Sequence, residues 1–126
     1  MKQVVTIAFL IISISAFSQK VKTETTYKYE MKGQKEIKKK TSEKTYDQKG
    51  NKIKEVSYTD NGEINKTKLF SFDSDNNLIE EKTLDKKGRT LKIITYEYKD
   101  GHKIHKTVID ADGLIKTKKE YTYTFY

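Results

Sequence analysis

The sequence predicts an all-β protein: an open antiparallel meander of about eight strands, joined by tight Asp, Asn and Gly turns into a single-layer or curved sheet. Three observations lead to this prediction. Turn residues recur at nearly constant intervals along the chain. The segments between them alternate apolar or aromatic residues with Thr and Lys. Pro and Cys are absent, and only 34% of the 126 residues are hydrophobic, which is little for a thick core.

The turns fall into pairs that repeat along the chain. From Gly50 onward, turns two apart are separated by 25 or 26 residues, the length expected of a strand-turn-strand-turn unit. An Asp can accept hydrogen bonds from the backbone two residues on, and Gly or Asn then adopts the left-handed conformation that closes the loop. The residues that we predict to form turns are Gly33, Asp47, Gly50, Gly62, Asp73, Asn76, Asp85, Gly88, Gly101 and Gly113.

The segments between the turns predict strands of roughly 6–10 residues. Thr23 to Met31 places two Tyr residues on one face. Lys35 to Lys44 is rich in Lys and could form a helical turn, but we assign it as a polar strand. Tyr121 to Tyr126 alternates aromatic residues and Thr for most of its length, which predicts the end of the last strand.

A closed eight-stranded barrel is the alternative architecture. It would require one consistently apolar face along every strand. The fourth segment argues against it, since alternation puts Lys66, Lys68, Phe70 and Phe72 on the same face.

Residues 1–18 predict a secretory signal peptide, which leaves residues 19–126 as a single β-repeat domain. Lys2 supplies the positive charge, Val4 to Ile14 forms the apolar run, and small residues precede a cleavage site between Ser18 and Gln19. We therefore expect a secreted or periplasmic protein with no transmembrane segment after the signal is removed. An uncleaved N-terminal anchor is the alternative.

The net charge of +8 has two interpretations. Lys residues on strands deter sheet edges from pairing with other chains. The charge is uneven, however: residues 19–58 contain 12 basic and 6 acidic residues, and residues 59–126 contain 13 and 12. A basic half could attract a polyanion such as lipopolysaccharide or an acidic polysaccharide, and Tyr rings could stack on sugars.

No catalytic residue, cofactor or metal site is predicted. His102 and His105 are three residues apart, so a regular strand would point them to opposite faces and they make a poor metal pair. Asp73, Asp75 and Asn77 match the opening of a calcium loop, but Leu78 and Leu84 stand where that loop needs Gly and Glu. We interpret these residues as turn caps, with a weak calcium site as the alternative.

One segment resembles a known repeat. Phe70-Ser71-Phe72-Asp73 with Asn76 and Leu78 is similar to the Tyr-x-Tyr-Asp-x-x-Gly-x-Leu signature of bacterial YD (RHS-type) repeats, and the loops at Asp47 and Asp85 fit its second half. The resemblance covers about residues 27 to 116 and implies a curved β-sheet in an extracytoplasmic compartment. MORN-type repeats of antitoxin-like proteins are the second choice, although their Gly-rich doublets are missing.

Together these features predict a non-enzymatic extracytoplasmic module with a structural or partner-binding role at the cell envelope. The alternative is a basic protein that binds a polyanion or a glycan. We expect the partner to be an envelope protein or a polyanionic glycan, and we expect neither a small-molecule substrate nor intracellular nucleic acid.

Overall fold

In a computed structural model, residues 20–126 form an eight-stranded antiparallel sheet whose strand order follows chain order. The predicted signal peptide and its cleavage site at Ser18 and Gln19 lie outside these described residues. The strands are β1 (Thr23–Lys32), β2 (Lys35–Tyr46), β3 (Lys52–Tyr58), β4 (Ile64–Phe72), β5 (Leu78–Leu84), β6 (Thr90–Lys99), β7 (His102–Asp110) and β8 (Ile115–Glu120).

The sheet is open. β1 and β8 are its two edges, and each strand contacts only the strands next to it in the chain. The prediction of an open antiparallel meander is confirmed, and the closed alternative is wrong. None of residues 20–126 belongs to a helix that is long and apolar enough to cross a membrane.

Five of the seven hairpins share one five-residue loop. In each, the N–H of the first residue donates to the carbonyl of the fifth, at 2.8–3.0 Å, and the N–H of the fourth donates to the carbonyl of the first, at 3.0–3.1 Å. The other two hairpins have two-residue loops. Asp100 and Gly101 both have positive φ in the β6–β7 loop, whereas only Gly33 does in the β1–β2 loop. The five longer loops are Asp47–Asn51, Thr59–Glu63, Asp73–Asn77, Asp85–Arg89 and Asp110–Leu114.

Every hairpin also carries one extra residue on its second strand. Tyr46 pairs with Lys52 but its neighbour Thr45 pairs with Lys54, which leaves Ile53 as a bulge. A bulge bends its strand, increases the local twist and changes which residues share a face beyond it. The corresponding extra residues of the other hairpins are Thr41, Asn65, Ile79, Leu91, Ile104 and Lys116.

The register divides the strand side chains between two faces, which we call the Val56 face and the Tyr96 face. Val56 is 6% exposed and is the only buried residue among residues 20–126. A large aromatic or aliphatic residue precedes each of the five longer loops, whereas Lys32 and Lys99 precede the two-residue loops. The register places Tyr46 and Tyr58, which precede successive loops at opposite ends of the sheet, on opposite faces. The large side chains before the five longer loops are therefore divided between the two faces, and residues 20–126 bury no continuous core.

Two of the predicted segments extend differently from expectation. β2 is a strand, as predicted, and it continues to Tyr46. The prediction of a strand through residues 121–126 is wrong, because β8 ends at Glu120. The N–H of Tyr121 still donates to the carbonyl of Ile104 at 2.9 Å. However, β7 begins at His102, only two residues before Ile104. The tail therefore lacks a partner strand with which to continue the ladder.

We expect the substitution Gly88→Ala to lower the free energy of unfolding by about 1–2 kcal/mol, because the left-handed conformation destabilises an L-residue by about that amount. Gly88 has a φ of +82°, and no heavy atom lies within 4 Å of an added Cβ, so the cost is conformational and not steric. Urea unfolding of the purified protein measures it. Gly88→Asn is the control: Asn76 occupies the equivalent loop position with a φ of +65°, so Asn should cost less than Ala. Equal losses would contradict this account.

Candidate functional site

The Asp residues at the start of four loops cap those loops with their carboxylates. Oδ1 of Asp73 accepts hydrogen bonds from the backbone N–H groups of Asp75 and Asn77, both at 2.9 Å, and Oδ2 accepts one from the side-chain amide of Asn77 at 3.2 Å. In the fifth loop, Thr59 takes the place of Asp and its Oγ1 accepts the N–H of Glu63 at 3.3 Å. The same double backbone contact to Oδ1 occurs at Asp47, Asp85 and Asp110.

This geometry bears on the calcium alternative. Both carboxylate oxygens of Asp73 accept hydrogen bonds from within its own loop, so the carboxylate acts as a turn cap. No three His, Cys, Asp or Glu side chains of residues 20–126 come together in a way that could hold a metal ion. We propose no metal site here.

Loop capping also lowers the pKa values of three of these carboxyl groups. Hydrogen bonds from Asn77, the backbone N–H first, hold the pKa of Asp73 below its ordinary value, and the loops at Asp47 and Asp85 do the same through Asn51 and Arg89. A depressed pKa means that the ionised cap stabilises the fold above the pKa of the unfolded chain. This stabilisation is lost as the pH falls through the folded-state pKa.

The predicted turn residues are distributed between the two ends of the sheet. Gly50, Asn76 and Gly101 lie at one end, and Gly33, Gly62, Gly88 and Gly113 lie at the other. At the first end two loops touch: the side-chain amide of Asn51 donates to Oδ1 of Asn76 at 3.0 Å. These loops border a shallow open hollow of about 440 Å³ lined by turn residues with Ile53 and Phe72. In this lining, the carboxylates of Asp47 and Asp73 and the side-chain amide of Asn51 are engaged in closing the loops.

The Tyr96 face carries an aromatic and cationic cluster on β6 and β7. The hydroxyl of Tyr96 donates to Oε2 of Glu81 at 2.5 Å, and burial together with this bond raises the pKa of Tyr96. The ammonium group of Lys103 lies 4.7 Å from the ring centroid of Tyr96 and 5.8 Å from that of Tyr121. Such contacts between a cation and the face of a ring are attractive and hold the side chain over the sheet.

The C-terminal tail is fixed to the sheet by a bond that recurs along the chain. The hydroxyl of Tyr123 donates to the carbonyl of Lys103 at 2.6 Å, and that of Tyr98 donates to the carbonyl of Leu78 at 2.8 Å. Tyr98 and Tyr123 are 25 positions apart, and so are Leu78 and Lys103. This hydrogen bond therefore recurs with the same period as the turns. Tyr123 is 45% exposed despite its hydrogen bond.

The two histidines have separate surroundings. The ring of His102 lies 5.1 Å from that of Tyr123 and 5.4 Å from that of Phe125, beside an open hollow of about 370 Å³. His105 lies on the Val56 face between Glu97 and Glu120, with nitrogen-to-oxygen distances of 3.4 and 3.6 Å. The structure does not bring the two rings together at one site.

Positive charge is concentrated on one face. The sequence located the excess in the N-terminal half, whereas the register places most of it on the Tyr96 face. The Val56 face of the strands has Lys38, Lys40, Lys54, Lys82, Lys99, Lys116 and Lys118 against Glu36, Glu43, Glu80, Glu97 and Glu120. The Tyr96 face has Lys28, Lys32, Lys35, Lys39, Lys44, Lys52, Lys66, Lys68, Lys92, Lys103, Lys106 and Lys119 against Glu24, Glu30, Glu55, Glu81 and Asp110.

Comparison with known proteins finds no family model and no curated protein that matches the chain. The resemblance to YD repeats stays a prediction that rests on the Phe70–Leu78 segment and its equivalents.

We expect the thermal midpoint of the Asp73→Asn variant to fall below that of the wild type at pH 7, because Asn keeps the acceptor but loses the charge that the loop N–H groups stabilise. The difference should shrink as the pH falls through the folded-state pKa of Asp73, where the wild-type cap becomes protonated. Thermal unfolding followed by circular dichroism between pH 7 and pH 2 measures both effects. Asp112→Asn is the control. Asp112 takes part in its loop through its backbone N–H, which donates to Oδ1 of Asp110 and which this substitution leaves in place. A difference that is constant with pH would contradict this prediction.

Proposed function

We propose that this protein is a non-enzymatic extracytoplasmic module with a structural or partner-binding role at the cell envelope, and that it binds its partner through the sheet itself. One observation carries this proposal: within residues 20–126 nothing covers either face or either edge of the sheet, and large apolar side chains remain accessible there. Exposed apolar surface that is continuous rather than scattered is typical of interaction sites. The predicted signal peptide and the resemblance to YD repeats support the compartment.

The edge of β1 fits a partner strand better than that of β8. Edge strands add an extended peptide by main-chain hydrogen bonds, and side-chain contacts give the specificity. β1 presents Tyr27, Tyr29 and Met31 on one face, and they are between 45% and 63% exposed. β8 carries Lys116, Lys118 and Lys119, and lysines of this kind discourage edge pairing. We therefore assign the partner strand to β1.

The experiment places a photo-crosslinking amino acid at Tyr29 in cells that express the full chain. We expect cross-links from position 29 to one envelope protein, reduced when Tyr27→Lys is introduced beside it, because a charge there blocks apolar pairing. Matched probes at Lys118 on the opposite edge and at Lys87 on a loop tip serve as controls.

Equal cross-linking from all three positions would contradict binding at β1. Mass spectrometry of the same samples tests the compartment: we expect a mature chain that begins at Gln19 in the periplasm or the medium. A cytoplasmic chain that retains Met1 would contradict an extracytoplasmic role.

The excess of lysine on the Tyr96 face favours a second candidate, a polyanion- or glycan-binding protein. A ligand that neutralises several lysines releases counterions, so its affinity falls steeply with salt. We expect the purified protein to bind heparin and to elute above physiological ionic strength. Elution below that concentration would exclude this candidate, and the Val56-face variant Lys54→Gln/Lys82→Gln should elute nearly as the wild type does.

A further inference from the structure

Three pairs of lysines lie directly opposite each other on neighbouring strands: Lys28 with Lys39, Lys32 with Lys35, and Lys106 with Lys119. Residues opposite each other in an antiparallel pair have their Cβ atoms about 4.5–5.5 Å apart, and like charges in this arrangement destabilise the sheet. The repulsion within each pair must therefore be offset by a counterion, by free access to water, or by a ligand.

The first two pairs have such compensation within the chain. Glu30 lies 2.9 Å from Lys28 and 3.1 Å from Lys39, and Asp60 lies 3.3 Å from Lys28. Lys32 and Lys35 flank the Gly33 turn and are exposed at the end of the sheet. Water solvates these last two charges from several sides, and salt screens them.

The third pair has no counterion among the described residues. Lys106 and Lys119 lie on the Tyr96 face; Lys119 is exposed on the edge strand, but Lys106 is half-buried and less accessible to water than Lys32 and Lys35. The carboxylates on this face of β5 to β8 are Glu81, which accepts the hydroxyl of Tyr96, and Asp110, which caps its own loop. Glu120 follows Lys119 but points to the other face, where it lies beside His105.

Aromatic residues lie next to this uncompensated charge. Tyr96 lies opposite Lys106 on β6, and Lys103 rests over the rings of Tyr96 and Tyr121. The tail continues beside this cluster, where the hydroxyl of Tyr123 donates to the carbonyl of Lys103 at 2.6 Å. The rings of Tyr123 and Phe125 lie 5.1 and 5.4 Å from that of His102, and these residues are 45% and 74% exposed. A surface that combines free ammonium groups with exposed rings suits the boundary between lipid headgroups and acyl chains.

We propose that the lysine-aromatic patch, formed by Lys103, Lys106, Lys119, Tyr123 and Phe125, docks the protein onto an anionic phospholipid bilayer. The phosphates of the headgroups supply the missing counterions to the lysines. The exposed rings of Tyr123 and Phe125, which lie beside Lys103 at the end of the sheet, enter the headgroup region. The exposed phenyl ring of Phe125 favours a bilayer over a soluble polyanion, because a phenyl ring has no group that could bind a hydrated charge.

Co-sedimentation with vesicles at physiological salt tests the patch. We expect the protein to bind vesicles that contain phosphatidylglycerol and to leave pure phosphatidylcholine vesicles unbound. Lys106→Gln/Lys119→Gln should reduce the partition coefficient about thirtyfold and should not lower the thermal midpoint, since it removes a repulsion. The matched control is Lys66→Gln/Lys68→Gln, which makes the same charge change on the same face of β4 and should have a much smaller effect.

A second pair of variants tests the aromatic part of the patch. Phe125→Ser should weaken binding to the anionic vesicles, whereas Met31→Ser, which removes a similarly exposed apolar side chain at the other end of the sheet, should not. Failure of the wild type to bind anionic vesicles, or equal losses for both lysine double variants, would overturn the proposal. Full displacement by a soluble acidic polysaccharide together with no effect of Phe125→Ser would assign the patch to a glycan instead. That outcome would leave the second candidate function standing.

Discussion

Hydrogen bonding between neighbouring strands holds this protein together, because the sheet has almost no interior. Val56 alone is buried among residues 20–126, so side-chain burial cannot define the register as it does in a two-layer fold. That task falls to the loops. In four of them an Asp carboxylate accepts two backbone N–H groups and fixes the position at which the chain reverses. The strands then pair from the loop outward, and antiparallel pairing follows from the short connections.

The bulge that accompanies every hairpin decides which side chains meet. One extra residue on the second strand shifts the alternation, so residues that the sequence separates by an odd number can share a face. The effect is local to each hairpin but accumulates across the sheet. It places the residues before successive long loops, such as Tyr46 and Tyr58, on opposite faces. It also brings Lys103, Lys106 and Lys119 to the face that carries Tyr96 and Tyr121.

The fold was largely predictable and the lysine-aromatic patch was not, for the same physical reason. Asp-x-x-Gly loops and alternating strands are encoded in a few adjacent residues, so a sequence shows them directly. The faces depend on bulges, and no residue type at Ile53 or Ile104 marks an extra position. Lys106 and Lys119 meet only once the register of β7 and β8 is known. The extent of the last strand was wrongly predicted. Tyr121 to Tyr126 has the composition of a strand, but it extends beyond the end of β7, the strand with which it would have to pair.

Because each strand contacts only its neighbours, this architecture has no obligatory length. Stability in such a chain is close to a sum of terms for single hairpins and for the seams between them, as in a one-dimensional array. Removing or duplicating a unit of 25 or 26 residues would create new contacts at one seam and leave every other pair as it is. Evolution can therefore lengthen or shorten such a sheet in whole units, and its folding can begin at any of several equivalent hairpins without waiting for distant parts of the chain.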